Sequence, residues 1–331
     1  MFCPRLKHFA RLNQNGTIGK CGHMTPGKGF ATYDQMETSA WLKNIKTKME
    51  KDQWPEECVR CEQSESVKGE SVRTNSIKRH KILHPLKEDY LIVGGVLDNV
   101  CNSACQTCNA GLSTKIGSLS SRDYKRVDNS SLWSTLPQER ILEVDVNGGE
   151  PTASKNYKRL LRQLPKNTKI VRMNTNGSKT IDEIEVLLTN RITVIVTMSL
   201  DGVGDVHDYV RWPIKWSDYN KTVDHYKKLT ETYSNLHLDM WTTVSCLNVA
   251  SIQEIIDYAK HKGIAHDWAF LHRPDVLNVR YTNQFTQRGK KFSPSEIAIA
   301  EDNQEQVYEF IKKQDSLRGI NAYDYFSFSA K

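Results

Sequence analysis

The chain has 331 residues, of which 38% are hydrophobic and 26% charged, and its formal net charge is +7. These values are typical of a folded globular protein and exclude a disordered or fibrous one. The length accommodates one large domain and a smaller module. The basic excess is spread along the sequence and forms no concentrated patch, so we expect no nucleic-acid partner.

The sequence contains no run of the roughly 18 apolar residues that a membrane-spanning helix needs, so we expect no membrane association. Its first residues lack the basic and apolar regions of a secretory signal, which predicts a cytoplasmic, reducing location. Eight cysteines in such a compartment indicate metal binding or catalysis rather than disulfides. Cys246 stands alone and is expected to be a buried thiol.

Residues 1–85 contain few periodic apolar segments and are predicted to form a separate small, cysteine-rich module. Residues 7–24 are predicted to form a β-hairpin, because Asn15-Gly16 is a strong turn signal. Short helices are predicted at 42–49 and from the Cys58-x2-Cys61 pair onward. A segment with so little apolar surface folds poorly alone, and a bound metal would stabilise it.

From residue 90 onward, apolar runs alternate with amphipathic segments. The runs predict buried strands at 90–97, 141–146, 169–173, 192–200, 237–244 and 268–271. The amphipathic segments predict helices at 157–164, 181–188, 219–232 and 252–260, the last one capped by Gly263. About six such units predict an α/β fold over 86–280, a partial (β/α)6 TIM-like barrel with right-handed crossovers. Residues 281–331 are predicted to be a helical extension, with a helix at 294–313.

Functional residues of a β/α barrel lie at the carboxyl ends of its strands. Four unusual motifs follow the first four predicted barrel strands in turn: Cys101-x3-Cys105-x2-Cys108, Gly148-Gly149-Glu150, Asn174-Thr175-Asn176 and Ser199-Leu200-Asp201-Gly202. Because parallel strands end on the same rim, we expect these motifs to form one site.

The three clustered cysteines have the chemistry of an iron–sulfur site. Thiolates at this spacing in one loop can ligate three irons of a [4Fe–4S] cluster. The fourth iron then stays open to a small molecule. A structural zinc site takes four protein ligands, so a loop that offers three is a poor zinc site.

With these cysteines on the first β-α loop and Gly148-Gly149-Glu150-Pro151 after the second strand, residues 90–280 resemble the radical S-adenosylmethionine superfamily. The resemblance implies that the cluster donates an electron to S-adenosylmethionine. Methionine is then released, and a 5′-deoxyadenosyl radical abstracts hydrogen from a substrate. It also implies a reductant such as flavodoxin or ferredoxin. Thr107 stands where the family often has an aromatic residue that contacts adenine.

The same resemblance implies which residues bind S-adenosylmethionine. Gly148 and Gly149 would let the backbone approach the ligand closely, and Glu150 would pair with its ammonium group. Ser199 and Asp201 are similar to residues that contact the ribose or the methionine part in relatives.

Three further residues are candidates with an open alternative. Asn174 and Asn176 either contact the cofactor or belong to a turn built on Asn176-Gly177. Arg211 either pairs with the methionine carboxylate or has a structural role. The sequence does not separate these possibilities.

The remaining cysteines outside the barrel form a second set of four, namely Cys3, Cys21, Cys58 and Cys61. Together with the hairpin and the Ser71-Val72-Arg73 motif, they resemble the SPASM/twitch auxiliary-cluster module over residues 1–75. The resemblance implies a second iron–sulfur cluster. Zinc is the alternative, because a four-thiolate site with one Cys-x2-Cys pair suits that metal too.

Relatives with auxiliary modules often modify peptides, so the resemblance implies a peptide or protein substrate. One alternative is a radical enzyme that modifies RNA, which only the mild positive charge supports and which salt-sensitive RNA binding would favour. The other is a non-catalytic iron–sulfur or zinc protein for electron transfer or interaction. That protein would have four protein ligands at every metal site and would not bind S-adenosylmethionine.

Overall fold

A computed structural model describes residues 1–120, 124–279 and 304–325. Its strands are β1 (Phe9–Leu12), β2 (Ile18–Gly19), β3 (Leu91–Val96), β4 (Ile141–Asn147), β5 (Ile170–Thr175), β6 (Thr193–Ser199), β7 (Leu236–Val244) and β8 (Ala265–Phe270). Its helices are α1 (Arg5–His8), α2 (Tyr33–Thr38), α3 (Ala40–Glu50), α4 (Val59–Lys68), α5 (Val72–Leu83), α6 (Thr114–Leu119), α7 (Ser130–Trp133), α8 (Lys155–Arg162), α9 (Glu183–Thr189), α10 (Asp205–Val210), α11 (Trp216–Thr232), α12 (Ile252–Lys262) and α13 (Gln304–Arg318).

Strands β3 to β8 lie side by side in chain order, and each is parallel to its neighbour. Helices α8, α9, α11 and α12 connect successive strands from β4 to β8. This arrangement confirms the predicted partial (β/α)6 barrel. Among the described residues, β2 and β8 form the two edges of the sheet, which therefore stays open.

The predicted hairpin is present, since β1 pairs with β2 in antiparallel fashion. Strand β1 also pairs in parallel with β3, so the hairpin extends the barrel sheet to eight strands. Two glycines of β3 permit this contact. A Cβ on Gly94 would lie 2.7 Å from the Phe9 ring, and one on Gly95 would lie 2.2 Å from the Leu12 carbonyl oxygen. The module boundary at residue 85 stays a prediction.

The core consists of the apolar strand faces and the helices that cover them. Val144 and Val146 of β4 and Val194 and Val196 of β6 are completely buried, as expected for a parallel sheet with covered faces. Helix α12 ends where predicted, with Gly263 in the left-handed conformation at φ 65°.

The helix predicted at 294–313 overlaps α13, which ends at Arg318. Residues 294–303 of that prediction lie outside the described residues. None of the helices in the described ranges is long and apolar enough to cross a membrane.

Candidate functional site

A cavity of about 640 Å³ lies at the carboxyl ends of the barrel strands. Its volume falls within the range of ligand sites for small molecules. Every residue predicted for the cluster and for S-adenosylmethionine lines it, namely Cys101, Cys105, Cys108, Gly148, Gly149, Glu150, Asn174, Asn176, Ser199, Asp201 and Arg211. The structure thus brings together motifs that are up to 110 residues apart in the sequence.

Two of the three clustered thiols, Cys101 and Cys108, have raised pKa values. Burial, together with the neighbouring Cys105, raises the pKa of Cys108 to about 12. Burial and Cys105 also raise the pKa of Cys101. The Ser103 hydroxyl lies 3.3 Å from the Cys101 sulfur and 3.5 Å from the Cys105 sulfur. Such thiols keep their protons until a metal displaces them.

The cysteine loop is fixed by side chains of the third barrel strand end. The Asn176 amide group donates to the Asn102 side-chain oxygen at 2.9 Å and to the Ser103 hydroxyl at 3.3 Å. Asn102 in turn donates to the Ser178 hydroxyl at 2.9 Å. The Asn176 side chain therefore supports the loop that carries the thiols, while its backbone N–H donates to Glu150.

Gly148 and Gly149 have positive φ angles of 100° and 57°. A Cβ on Gly148 would lie 2.4 Å from Val96, and one on Gly149 would lie 2.0 Å from the Val100 carbonyl oxygen. The neighbouring Val96 and Val100 therefore require glycine at both positions, independently of any ligand. Both glycines also line the cavity.

Glu150 is almost completely buried, and the protein itself satisfies both of its oxygens. One oxygen accepts from the Thr175 hydroxyl at 2.8 Å and from the Thr152 N–H at 3.1 Å. The other accepts from the Asn176 N–H at 2.7 Å. Burial raises the pKa of Glu150, and these hydrogen bonds oppose that shift.

Arg211 and Asp201 face each other at the rim, and Arg211 donates to Asp201 at 2.9 Å. The second oxygen of Asp201 accepts from the Thr243 N–H at 2.8 Å. The buried Nε of Arg211 has no hydrogen-bond partner among the described residues. The guanidinium therefore has one buried, unsatisfied donor, and Arg211 as a whole lines the cavity.

The remaining predicted residues line the cavity less deeply. Asn174 is exposed and Ser199 is half-buried. Thr107 lines the cavity at the position where an aromatic residue is common in the family. Phe9, from β1, is the one aromatic residue among the described lining residues, so the N-terminal hairpin contributes to this site.

The four remaining cysteines of the N-terminal region also lie together, around an enclosed space of about 20 Å³. Burial raises the pKa of Cys3 to about 11 and that of Cys58 to about 12, and the other thiols of the set add to both shifts. A space this small admits no ligand besides an occupant in direct contact with the thiols.

Arg73, from the predicted Ser-x-Arg motif, contacts three separate segments around the N-terminal cysteines. It forms an ion pair with Glu65 of α4 and donates to the Phe2 carbonyl oxygen at 2.9 Å. Its guanidinium also lies 5.3 Å from the centre of the Trp54 ring. Arg73 therefore connects the chain next to Cys3 with the helix that carries Cys61.

Both sets of thiols fit a thiolate-ligated group by the chemistry of their donors. Within the described ranges, no three His, Cys, Asp or Glu side chains converge closely enough to hold a single metal ion. The barrel set faces a cavity with room for a cluster and a small molecule. The N-terminal set surrounds a much smaller space, and its four cysteines are partly exposed.

Sequence reasoning missed several residues of the barrel site. Ser103 and Asn102 lie inside the cysteine motif, where their polarity alone was a usable signal. Asp145 of β4 lines the cavity, and burial raises its pKa to about 6, helped by Glu143. Arg318 reaches the cysteine loop from α13, and no local pattern in the sequence marks it.

No protein-family model matches the chain. The sporulation killing factor maturation protein SkfB of Bacillus subtilis (strain 168) is 23% identical over 223 residues. That alignment covers 60% of this chain and 52% of SkfB. The chain therefore spans about half the length of this curated relative.

Similar solved structures include Streptococcus suis SuiB bound to S-adenosylmethionine, with a TM-score of 0.42, 13% identity, and coverage of 95% of this chain and 70% of SuiB. SuiB bound to its precursor peptide SuiA also has a TM-score of 0.42, with 14% identity and coverage of 96% and 70%. A further one is anSMEcpe with bound AdoMet and Kp18Cys peptide, with a TM-score of 0.41, 18% identity, and coverage of 71% and 64%.

The resemblance to radical S-adenosylmethionine enzymes that the motifs predicted is confirmed.

Proposed function

We propose that this chain is a radical S-adenosylmethionine enzyme that modifies a peptide or protein. The observation that carries the proposal is the convergence of three thiols and of the polar motifs at the next three strand ends on one 640 Å³ cavity. Cys101, Cys105 and Cys108 would hold a [4Fe–4S] cluster. When bound, that cluster supplies the electron that splits S-adenosylmethionine into methionine and a 5′-deoxyadenosyl radical.

The protein's own part in this chemistry is binding and orientation. Arg211, held by Asp201, would pair with the carboxylate of S-adenosylmethionine. Ser199 and Asn174 would contact the nucleoside part from the neighbouring strand ends. Glu150 would act on the ligand mainly by fixing the strand ends, because its oxygens already accept three hydrogen bonds.

A peptide or protein substrate is supported by the name of the relative SkfB, which describes the maturation of a killing factor. The edge of the barrel sheet at β8, open among the described residues, is consistent with a peptide or protein substrate. Ala265, Asp267 and Ala269, alternate residues of the edge strand β8, are exposed. A substrate much longer than the cavity could therefore enter from this side.

The N-terminal thiols would hold a second iron–sulfur cluster, since the barrel site already requires that type of assembly. Zinc is the competing occupant, and metal analysis of the purified protein separates the two.

We also place the protein in the cytoplasm, with flavodoxin or ferredoxin as reductant, because free thiolate ligands persist in a reducing compartment.

The test is the production of 5′-deoxyadenosine by anaerobically reconstituted protein given S-adenosylmethionine and dithionite. We expect product from the wild type and from Cys246→Ala, whose buried thiol lies outside both cysteine sets. Cys105→Ala should give none. A cluster-loaded wild type that neither binds S-adenosylmethionine nor forms product would instead favour an electron-transfer protein.

The substrate class is tested with a mixed peptide pool and with bulk transfer RNA, each added to the same assay. A mass change in peptides that requires S-adenosylmethionine supports the proposal. A mass change confined to the RNA would overturn the peptide assignment.

A further inference from the structure

Arg318 is the last residue of α13, and it is separated from the cysteine motif by more than 200 residues. Its Nε donates to the Ala104 carbonyl oxygen at 2.7 Å, and Nη2 donates to the Cys105 carbonyl oxygen at 3.3 Å. Nη1 bonds within α13 to the main-chain and side-chain oxygens of Gln314, at 2.9 and 2.6 Å. All three guanidinium nitrogens therefore donate hydrogen bonds, and two of them donate to the cysteine loop.

The loop is held from the opposite side by backbone contacts. The Ala104 N–H donates to the Trp212 carbonyl oxygen at 2.7 Å, and the Gln106 N–H donates to that of Val210 at 2.9 Å. Arg318 supplies donors for the carbonyl groups of the same short segment. The segment around Cys105 is thus fixed through both its N–H and its C=O groups.

The charge of Arg318 has no carboxylate hydrogen-bonded to it, although the Asp315 carboxylate lies near enough to interact with it electrostatically. The side chain is 6% exposed, and the acceptors described for it are all neutral amide oxygens. The acidic neighbour Asp315 accepts instead from the Tyr209 hydroxyl and the Ala322 N–H. Besides Asp315, the groups that interact electrostatically with this buried cation include Cys105 and Cys108, so the positive charge lies beside the cysteine loop.

We propose that Arg318 is a positioning residue that holds the cysteine loop in its ligating conformation and places a positive charge beside the cluster. The inference rests on the proposed function only in taking Cys105 and Cys108 as cluster ligands. It gives the C-terminal helix a defined role in the barrel site, through the last residue of that helix.

The experiment compares Arg318→Gln and Arg318→Lys with Lys313→Gln, an exposed residue of the same helix. In metal-free protein, the rate of iodoacetamide alkylation is measured for each cysteine by mass spectrometry. We expect Arg318→Lys to make Cys105 and Cys108 several-fold more reactive, because an ammonium keeps the positive charge but cannot reproduce both hydrogen bonds to the loop. Arg318→Gln also removes the charge that favours the reactive thiolate, so its rates should fall below those of Arg318→Lys.

Two internal controls come with the chain. The four N-terminal cysteines should keep their wild-type rates, because Arg318 does not contact them. Cys246 belongs to the same buried cluster as Val307 and Ile311 of α13, so its reactivity reports whether that helix stays docked. Wild-type reactivity of Cys105 and Cys108 in Arg318→Lys would overturn the proposal. Simultaneous exposure of Cys246 would also overturn it, because the effect would then be undocking of the helix.

A second measurement addresses the charge. In reconstituted protein, Arg318→Gln should lower the midpoint potential of the barrel cluster, because a nearby cation stabilises the more negative reduced state. Arg318→Lys should restore the potential toward the wild-type value, and Lys313→Gln should leave it unchanged. An unchanged potential in Arg318→Gln would contradict the electrostatic part. If the wild type makes no 5′-deoxyadenosine while the alkylation pattern holds, the proposed function fails and the positioning role stands.

Discussion

The two cysteine sites of this protein differ in the number of thiols and in what surrounds them. The barrel set has three thiols on the wall of a 640 Å³ cavity, and the N-terminal set has four around about 20 Å³. An incomplete ligand set beside free space suits chemistry on a bound small molecule, whereas a complete set without space suits a structural or electron-carrying group. The comparison teaches that ligand number and free volume together, rather than cysteine count, distinguish the two roles.

The supporting contacts differ in the same way. The barrel loop is held by groups distant in sequence, including Asn176 and Arg318. The N-terminal site is held within its own region, with Arg73 bonded to Glu65 and to the backbone of Phe2. We therefore expect cysteine substitutions at the barrel site to lower activity, and cysteine substitutions at the N-terminal site to lower the stability of the fold.

The largest expected effect is the loss of stability in Cys58→Ala. Removal of one of the four thiols should abolish metal binding there and lower the free energy of unfolding by on the order of 4 kcal/mol. The measurement is thermal unfolding of protein reconstituted without oxygen. Cys105→Ala, by contrast, should unfold close to the wild-type temperature. Equal destabilisation by the two substitutions would remove the distinction between the sites.

Glu150→Gln should have an intermediate effect, at the barrel site. The amide group must place an N–H₂ toward at least one backbone or hydroxyl donor that now bonds to the carboxylate, at a cost of about 2 kcal/mol. Urea unfolding measures that loss, and the affinity for S-adenosylmethionine should weaken as the strand ends shift. Glu185→Gln, at an exposed position of α9, is the control. Wild-type stability in Glu150→Gln would show that the three hydrogen bonds are dispensable.

The smallest expected effect is a pH dependence at Asp145. Burial raises its pKa to about 6 in the folded protein from an ordinary value of 3.8, with Glu143 adding to the shift. Ionisation therefore opposes folding, so this contribution to stability is complete below pH 3.8 and is lost as the pH rises through 6. Asp145→Asn carries no ionisable group there, so its free energy of unfolding does not fall in this way. The stability difference between this variant and the wild type should therefore grow by about 1 kcal/mol from pH 5 to pH 8. Urea unfolding at the two pH values checks this, and a constant difference would contradict it.

Much of the site could be predicted because parallel β/α units place their strand ends on one rim. The motifs containing Cys101, Gly148, Asn174 and Ser199 were predicted to meet, and all of them line the cavity. The individual contacts could not be predicted in the same way. The pairing of Arg211 with Asp201, and the hydrogen bonds from the end of β5 to both Glu150 oxygens, depend on side-chain directions that periodicity does not encode.

The sequence by itself determined the strand and helix pattern, the partial barrel and the grouping of cysteines into three and four, because these follow from local periodicity and spacing. Only the tertiary structure decided that β1 joins the barrel sheet beside β3, that the first barrel loop requires Gly148 and Gly149, and that Arg318 reaches Ala104. Each of these depends on contacts between segments far apart in the chain. Such contacts are selected by the packing of the whole molecule, and they leave no repeating pattern in the residues that make them.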